Sequence, residues 1–220
     1  MTAAVAVQRL NPRHREEIVR HLVQLPAEDR RLRFGHAMRD DSVRDYVEHI
    51  DFARDRVFGV LGDQLELVGV AHLALDPAGG TAELGLSVDP RRRGHGHGYS
   101  LLKRALLHAA NIGCRVLFMH CLAENAIMMH LARKAGLLLV LEGGEADGRL
   151  RLDRRKHGSA LLEAVADQVA LIDNLLKQQY LWLACSGIKS PGSSLQEAGD
   201  ERGSAASAAK ALQGQVPQRA

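Results

Sequence analysis

Aromatic residues and cysteines are both scarce in this chain. Aromatic side chains make up 4% of its 220 residues, so a core of ordinary size must be built from aliphatic side chains. The three cysteines, Cys114, Cys121 and Cys185, stand at unrelated spacings that fit neither a disulfide framework nor a zinc site. Unpaired thiols are typical of a reducing compartment, and we therefore expect a cytoplasmic protein.

Long apolar runs and a strong charge imbalance are missing as well. The longest apolar candidates, residues 137–141 and 181–185, fall far short of the roughly 20 residues that a membrane-spanning helix needs. Lysine and arginine number 29 against 26 acidic residues, and a net charge of +3 is too balanced to indicate nucleic-acid binding. The sequence therefore predicts neither a membrane nor a nucleic acid as a partner.

A glycine-rich, basic segment stands out between an apolar run (81–88) and an amphipathic run (99–112). Three arginines at 91–93 lead into three alternating glycines, Gly94, Gly96 and Gly98. Without side chains in the way, consecutive N–H groups between a strand and a helix can converge on a phosphate at the positive end of the helix. The segment therefore predicts a pyrophosphate cradle, with the arginines steering the phosphates.

Two common nucleotide-binding loops are excluded by their spacing. A dinucleotide loop reads G-x-G-x-x-G and has an acidic residue after the next strand, but residues 114–121 contain no Asp or Glu. A nucleoside-triphosphate loop ends in Gly-Lys-Ser/Thr, whereas Gly98 is followed by Tyr99 and Ser100. The cradle must hold another phosphate-bearing group.

The segment VDPRRRGHGHGYSLL closely resembles the signature of the GNAT superfamily of acyl-CoA N-acyltransferases. The pattern R-x-x-G-x-G falls at Arg93, Gly96 and Gly98, and V-x-P precedes it at Val88 and Pro90. The resemblance implies acetyl-CoA as co-substrate. The cofactor-binding residues that it implies are Val88, Arg93, Gly94, His95, Gly96, His97, Gly98, Tyr99 and Asn125.

A second segment, from Asn125 to Leu137, is similar to the later motif of the same family, N-x-x-A-x-x-L-Y-x-K-x-G-F. Asn125 is placed to cap a helix, and Gly136 to end it in the left-handed conformation. Two motifs about thirty residues apart and in the order of the family support the resemblance independently. It extends over residues 9–153.

One position departs from the family pattern. The tyrosine that would protonate the departing thiolate is replaced by Ala132. His130 lies about 200° away around the helix and does not simply substitute for it. Tyr99, Cys121 or a water held by Asn125 remain as alternative proton donors.

Glu83 is the candidate general base. It lies on the predicted strand 81–88, on the face shared by Gly85 and Ser87, where the glycine is expected to leave space for a substrate or a water. In the resembling family a glutamate on this strand often serves as base, and a backbone N–H here polarises the thioester carbonyl, a role that falls to Val88. His95 and His97 stand two residues apart with no third ligand nearby, so no metal site is predicted.

The resemblance implies an enzyme that moves an acetyl group from acetyl-CoA to a primary amine by direct attack. The acceptor is a small molecule or a protein lysine. The loss of the tyrosine leaves a second hypothesis open, a non-catalytic acyl-CoA-binding sensor or assembly module.

The order of predicted elements indicates an α+β fold. We expect a GNAT-like mixed, mostly antiparallel sheet with flanking helices over residues 8–155, followed by an amphipathic helix over 158–184 and a disordered tail over 186–220. The apolar stripe of the helix comprises Leu162, Val165, Val169, Ile172, Leu176 and Tyr180. It indicates either packing on the helix's own domain or a contact in a homodimer.

Overall fold

The computed structural model describes residues 5–153 and 158–185. The tail predicted over 186–220 and the predicted domain boundary at 155 lie outside the described residues. The described chain falls into two compact units, the first ending at Lys177 and the second beginning at Gln178. The contacts given below for the C-terminal helix belong to the first unit.

A seven-stranded sheet carries the helices on its two faces. Its strands are β1 (Gln8–Leu10), β2 (Arg56–Leu61), β3 (Leu67–Leu75), β4 (Thr81–Val88), β5 (Val116–Leu122), β6 (Leu138–Glu142) and β7 (Glu145–Arg151). The helices are α1 (Arg15–Gln24), α2 (Ala27–Phe34), α3 (Asp40–Glu48), α4 (His97–Asn111), α5 (Ala126–Lys134) and α6 (Ala160–Cys185). Short 3-10 turns, Pro12–His14 and Pro90–Arg92, precede α1 and α4.

The spatial order of the strands is β1-β2-β3-β4-β5-β7-β6. β4 and β5 pair in parallel, joined by the crossover through α4, whereas the other neighbouring strands in the described chain pair antiparallel. This architecture confirms the predicted α+β fold with a mixed, mostly antiparallel sheet.

The parallel pairing of β4 with β5 is short. Its register runs from Thr81 opposite Val116 to Glu83 opposite Phe118. β4 then continues to Val88 and β5 to Leu122 without further described pairing between them. The two strands therefore leave an open edge on β4, directly before the glycine-rich loop.

Two aliphatic clusters form the core, one on each face of the sheet. The first joins β4 and its neighbours to α4 and α5 and includes Leu84, Leu86 and Ala132; the second packs α1 and α3 against β2 and β3. Phe58 is the one aromatic residue among the largest fully buried side chains of the described chain. The core is thus aliphatic, as the scarcity of aromatic residues predicts.

The C-terminal helix α6 packs on the domain through its polar face. Glu163 accepts hydrogen bonds from Arg104 (2.9 Å), His108 (2.5 Å) and Asn111 (2.5 Å) of α4, and Arg104 also pairs with Asp167. The apolar stripe, for which packing on the domain is one of two predicted alternatives, is exposed, with Leu162, Val165, Ile172 and Leu176 each at least half accessible. The contact with the domain is therefore made by the opposite face. Contact with a second copy stays a prediction.

Among the helices of the described ranges, none has the length and hydropathy that crossing a bilayer requires.

Candidate active site

A cavity of about 360 Å³ lies where β4 ends and α4 begins; we call it the loop cavity. Eight of the nine predicted cofactor-binding residues line it: Val88, Arg93, Gly94, Gly96, His97, Gly98, Tyr99 and Asn125. The ninth, His95, is not part of the lining, and its ring stacks on that of His97 with centroids 5.9 Å apart. The sequence motif therefore folds around one concave site.

The backbone of the loop fits a phosphate. Gly94 and Gly96 have φ angles of +82° and +83°, in the left-handed region that favours glycine. Gly96 is the N-cap residue of α4 and provides no side-chain cap, so the N–H groups of the first turn are left for an external acceptor. A Cβ at Gly96 would meet no atom of the described chain within 4 Å. The space beside the helix terminus is therefore open.

His97, the first residue of α4, adds a second sign of a missing partner. Its Nδ1 is buried and has no hydrogen-bond partner within the described residues. Burial lowers the pKa of His97 below its usual value, because the charged form loses solvation. A neutral imidazole with an unsatisfied nitrogen in the wall of the loop cavity fits a bound polar group.

The three arginines before the loop already have carboxylate partners. Arg93 pairs with Asp29 of α2 at 2.6 Å, Arg92 with Glu66 at 3.0 Å, and Arg91 with Asp89 at 2.7 Å. Their charges are therefore largely compensated within the chain. The ion pair of Arg93 ties the glycine loop to α2, so the backbone N–H groups of the loop are better placed than these arginines to bind a phosphate.

A second cavity, of about 250 Å³, lies further back along β4; we call it the strand cavity. Its walls include Arg33, Tyr46, His72, Glu83, Gly85 and His120. The register of β3 with β4 sets Ala74 opposite Glu83 and His72 opposite Gly85, so these residues share one face of the sheet. The predicted base therefore lies in the wall of a cavity on the same strand as the loop.

The space expected beside Glu83 at Gly85 is occupied. A Cβ at Gly85 would come within 2.0 Å of Nη2 of Arg33, which shows that the guanidinium fills the place where a side chain would be. The expectation that this glycine leaves room for a substrate is wrong in that respect, because α2 brings an arginine over the strand. Arg33 lines both the loop cavity and the strand cavity.

A chain of hydrogen bonds holds Arg33 in this place. Nη2 of Arg33 donates to the Tyr46 hydroxyl (3.1 Å), which lies 2.7 Å from Nδ1 of His72, and Nε2 of His72 lies 3.2 Å from the Asp55 carboxylate. Burial raises the pKa of Asp55, but hydrogen bonds from Arg54, the Leu75 N–H and His72 outweigh it, so its pKa stays below the usual value. An ionised Asp55 only accepts hydrogen bonds.

Because Asp55 can only accept, it fixes which group donates in each hydrogen bond between Asp55 and Arg33. Nε2 of His72 carries the proton that Asp55 accepts, so Nδ1 accepts the proton of Tyr46. The oxygen of Tyr46 then accepts from Arg33. Burial lowers the pKa of His72 and keeps the ring neutral, as this assignment requires.

A second buried histidine supports the floor of the loop cavity. His21 is 4% exposed; its Nδ1 lies 3.1 Å from the Leu67 carbonyl and its Nε2 lies 2.9 Å from the Ser87 hydroxyl. A carbonyl only accepts, so Nδ1 donates to it and Nε2 accepts from Ser87, which lines the cavity. Burial lowers the pKa of His21 to about 4.

The candidate proton donors for the thiolate are separated by the structure. Ala132 is fully buried in the core. Cys121 is also buried there, and burial raises the pKa of its thiol. Tyr99 lines the loop cavity, with Nζ of Lys134 at 4.4 Å from its ring centroid. His130 also lines this cavity. His130, on a different side of α5 from the buried Ala132, therefore faces the site. The angle of about 200° between the two positions does not by itself exclude His130 as a proton donor.

The side chain of Asn125 forms hydrogen bonds within the protein. Its Oδ1 accepts from the Met128 N–H (3.1 Å) and caps α5, while its Nδ2 donates to the Leu32 carbonyl of α2 (3.4 Å). Gly136 ends the helix with a φ of +86°. The second motif thus fixes α5 and α2 around the loop cavity.

Comparison with known proteins decides the family. The model of the acetyltransferase (GNAT) family matches residues 19–137, which is more than half of the chain and contains both cavities. The chain belongs to this family. It is an acyl-CoA-dependent N-acetyltransferase, and acetyl-CoA is its co-substrate. No match was found among curated proteins.

Solved structures of low identity share the fold. The GNAT domain of S. lividans PAT superposes with a TM-score of 0.55 at 19% identity, over 66% of this chain and 89% of that one. The acetyltransferase yncA of Salmonella typhimurium, described as putative and solved with acetyl-CoA, gives 0.53 at 17% identity, over 68% and 94%. A chimera containing the spermidine N-acetyltransferase of Vibrio cholerae gives 0.50 at 20% identity, over 69% and 98%.

Several side chains of the strand cavity cannot be assigned to the site from their neighbours in the sequence. Arg33, Tyr46, His72 and Asp55 come from α2, α3, β3 and the segment before β2, and they meet only in the folded chain. His21 reaches Ser87 across 66 positions. Within the described residues no group of three or more His, Cys, Asp or Glu side chains is arranged to hold a metal ion.

Proposed function

We propose that this enzyme transfers the acetyl group of acetyl-CoA directly to a primary amine that enters the strand cavity. The observation that carries the proposal is the position of β4, which borders both cavities. Its end, at Val88, lines the loop cavity, and its first half, at Glu83, lines the strand cavity. A donor held at the loop and an acceptor held at Glu83 would meet along one strand.

The glycine loop and the N-terminus of α4 would hold the pyrophosphate of the co-substrate. Converging N–H groups and the positive end of a fifteen-residue helix supply the donors. The open edge of β4 would pair with the extended pantetheine arm in the manner of an added strand. This arrangement would place the thioester beside residues 86–88.

The N–H of Val88 would be available to the thioester carbonyl. The next residue, Asp89, donates its N–H to the carbonyl of Val68 in β3 (2.9 Å), so the N–H of Asp89 points towards β3. Because N–H directions alternate along a strand, the N–H of Val88 points towards the open edge, where pairing with β5 has ended. It would stabilise the oxyanion that forms on attack.

Glu83 would take the proton from the acceptor, directly or through one water. The amine nitrogen attacks the carbonyl carbon, a C–N bond forms and the C–S bond breaks, and the thiolate leaves with a proton from the site. Glu83 is exposed in the wall of the strand cavity, so an incoming ammonium can reach it. General-base catalysis by such a group is worth roughly 10²–10⁴ in rate.

Thiol release from acetyl-CoA across a panel of primary amines tests the proposal. We expect turnover by the wild type and a loss of roughly 10²–10⁴ in kcat for Glu83→Gln, with CoA affinity retained. Glu142→Gln, which removes an exposed carboxylate on β6, is the matched control and should retain activity. Tight CoA binding without turnover on any amine would contradict the transfer reaction and favour the non-catalytic hypothesis.

A further inference from the structure

We infer that the acceptor amine carries a carboxylate close to its amino group, and that Arg33 binds this carboxylate in the strand cavity. The acceptor would thus belong to the amino-acid class. This inference rests on the proposed transfer reaction and names its second substrate. It starts from a guanidinium that the fold holds over the sheet with no carboxylate of the described residues in contact with it.

Arg33 differs from its neighbours on α2 in having no carboxylate partner. Arg30 pairs with Asp40 (2.5 Å), and Arg31 pairs with Glu28 (2.7 Å) and Glu124 (2.6 Å). Within the described residues, no carboxylate lies within 4.0 Å of the Arg33 guanidinium. A half-buried guanidinium loses hydration, and a carboxylate is the ligand that fits its planar fork best.

The guanidinium is held in place in the absence of any ligand. It stacks on the Phe34 ring (4.8 Å to the centroid) and donates to the Tyr46 hydroxyl, whose own proton is directed to His72 and onward to Asp55. The hydrogen bond to Tyr46 engages Nη2 and leaves other N–H groups of the fork for a ligand. Because the ordering cost is met by the fold, an incoming anion gains most of the interaction.

The position of Arg33 sets where the amine would lie. Arg33 borders the loop cavity and the strand cavity, and it lies over Gly85, between Glu83 and Val88 on β4. A carboxylate bound there would hold the adjacent amine beside the thioester and within the cavity that contains Glu83. The cation and the anion of one cavity match the two charges of an amino acid.

The same charges disfavour a polyamine. A second ammonium near Arg33 would meet a like charge in the strand cavity. The volume of about 250 Å³ lies below the roughly 300–1,000 Å³ of drug-sized ligand pockets, which fits a small acceptor.

Matched amine pairs test the inference. Phenylalanine is compared with phenethylamine, methionine with 3-(methylthio)propylamine, and spermidine is added as a polycation. For the wild type we expect kcat/KM to favour each amino acid over its decarboxylated partner by about tenfold or more, the value of a charge-assisted hydrogen bond. Spermidine should be the poorest acceptor.

Variants of Arg33 assign the preference to this residue. Arg33→Met should collapse the ratio within each pair, chiefly through a higher KM for the amino acid, and Arg33→Lys should give an intermediate ratio because it keeps the charge without the fork. Arg31→Met is the control on the same helix and should keep the wild-type ratio. Equal kcat/KM within the pairs, or an unchanged ratio in Arg33→Met, overturns the inference while leaving the transfer reaction intact.

Binding measurements distinguish a failure of the proposed transfer reaction from a failure of the inference that Arg33 binds a carboxylate. If no amine is turned over, the transfer reaction fails, and calorimetric titration of each amino acid and its decarboxylated partner into the CoA-loaded protein still decides the inference. Tighter binding of the amino acid that is lost in Arg33→Met supports it. Equal binding of the two partners, or no binding of either, overturns it.

Discussion

Gly85 and Arg33 occupy the space of a single residue on the surface of the sheet. A Cβ at Gly85 would come within 2.0 Å of Nη2 and 2.3 Å of Cζ of Arg33. The atoms that would clash belong to the far end of a flexible side chain, so the conflict is relieved by moving the guanidinium rather than the strand. The absence of a side chain at Gly85 therefore allows the guanidinium of Arg33 to lie at this place on the sheet.

The variant Gly85→Ala should displace Arg33 and leave the fold intact. We expect the melting temperature to change little, while the preference for carboxylate-bearing acceptors falls as it does in Arg33→Met. In the double variant, the second substitution should add no further loss, because both changes remove the same contact. Additive losses in steady-state kinetics would show that the two residues act independently.

The variant Gly96→Val should abolish CoA binding. Valine is strained at a φ of +83°, and its side chain would project into open space beside the N-terminus of α4. Gly79→Val is the matched control, since Gly79 has a φ of +80°, also has no atom within 4 Å of its Cβ position, and lies in the turn between β3 and β4. Calorimetric titration with CoA should show loss of affinity in the first variant only. Equal losses in both would assign the effect to backbone strain alone.

Acid should destabilise the protein partly through His21. Burial lowers the pKa of His21 from its ordinary value of 6.5 to about 4 in the folded state, so between these pH values the unfolded chain binds the additional proton. The stability that the neutral ring provides is therefore complete above pH 6.5 and declines as the pH falls towards 4, by up to about 3 kcal/mol.

Denaturant unfolding of the variant His21→Asn at several pH values measures this contribution. We expect a shallower decline of the unfolding free energy between pH 6.5 and 4.5 than in the wild type, since the other histidines are common to both proteins. His49→Asn, at an exposed position after α3, should follow the wild-type slope. Parallel slopes for wild type and His21→Asn would contradict the assignment.

Removal of Glu163 should loosen α6. Arg104 is 5% exposed and His108 is 7% exposed, and both donate to this carboxylate, so Glu163→Ala leaves buried donors without an acceptor. We expect a loss of about 2–4 kcal/mol in the free energy of unfolding, measured by denaturant titration. Asp167→Asn alters a partner of Arg104 that is half exposed and should cost less than about 1 kcal/mol. Equal effects of the two changes would argue against a buried anchor at Glu163.

The pattern of neighbouring residues in the sequence predicts the elements that carry the glycine-rich motif. The bounds of β4 agree with the prediction, because strict alternation from Thr81 to Val88 marks them clearly. α4 begins at His97 rather than Tyr99, since Gly96 already serves as its N-cap residue. Such signals depend on neighbours in the sequence alone.

The face of α6 and the walls of the strand cavity depend on distant residues. The apolar stripe of α6 predicts a packed face, but Glu163 and Asp167 make the contact because α4 presents the buried Arg104 and His108 to them. Arg33 likewise reads as one arginine among several on a polar helix. Its isolation from carboxylates becomes visible only when α2 lies across β4.

The alternation of β4 has a consequence for insertions and deletions. Ala82, Leu84 and Leu86 are buried in the core, whereas Glu83 and Gly85 face the strand cavity. An insertion or deletion of one residue within this strand would exchange the buried residues and the cavity-facing residues. It would place a carboxylate among aliphatic side chains and turn leucines towards the cavity. Length variation around this strand should therefore fall in the turn at 76–80, and β4 itself should keep eight residues.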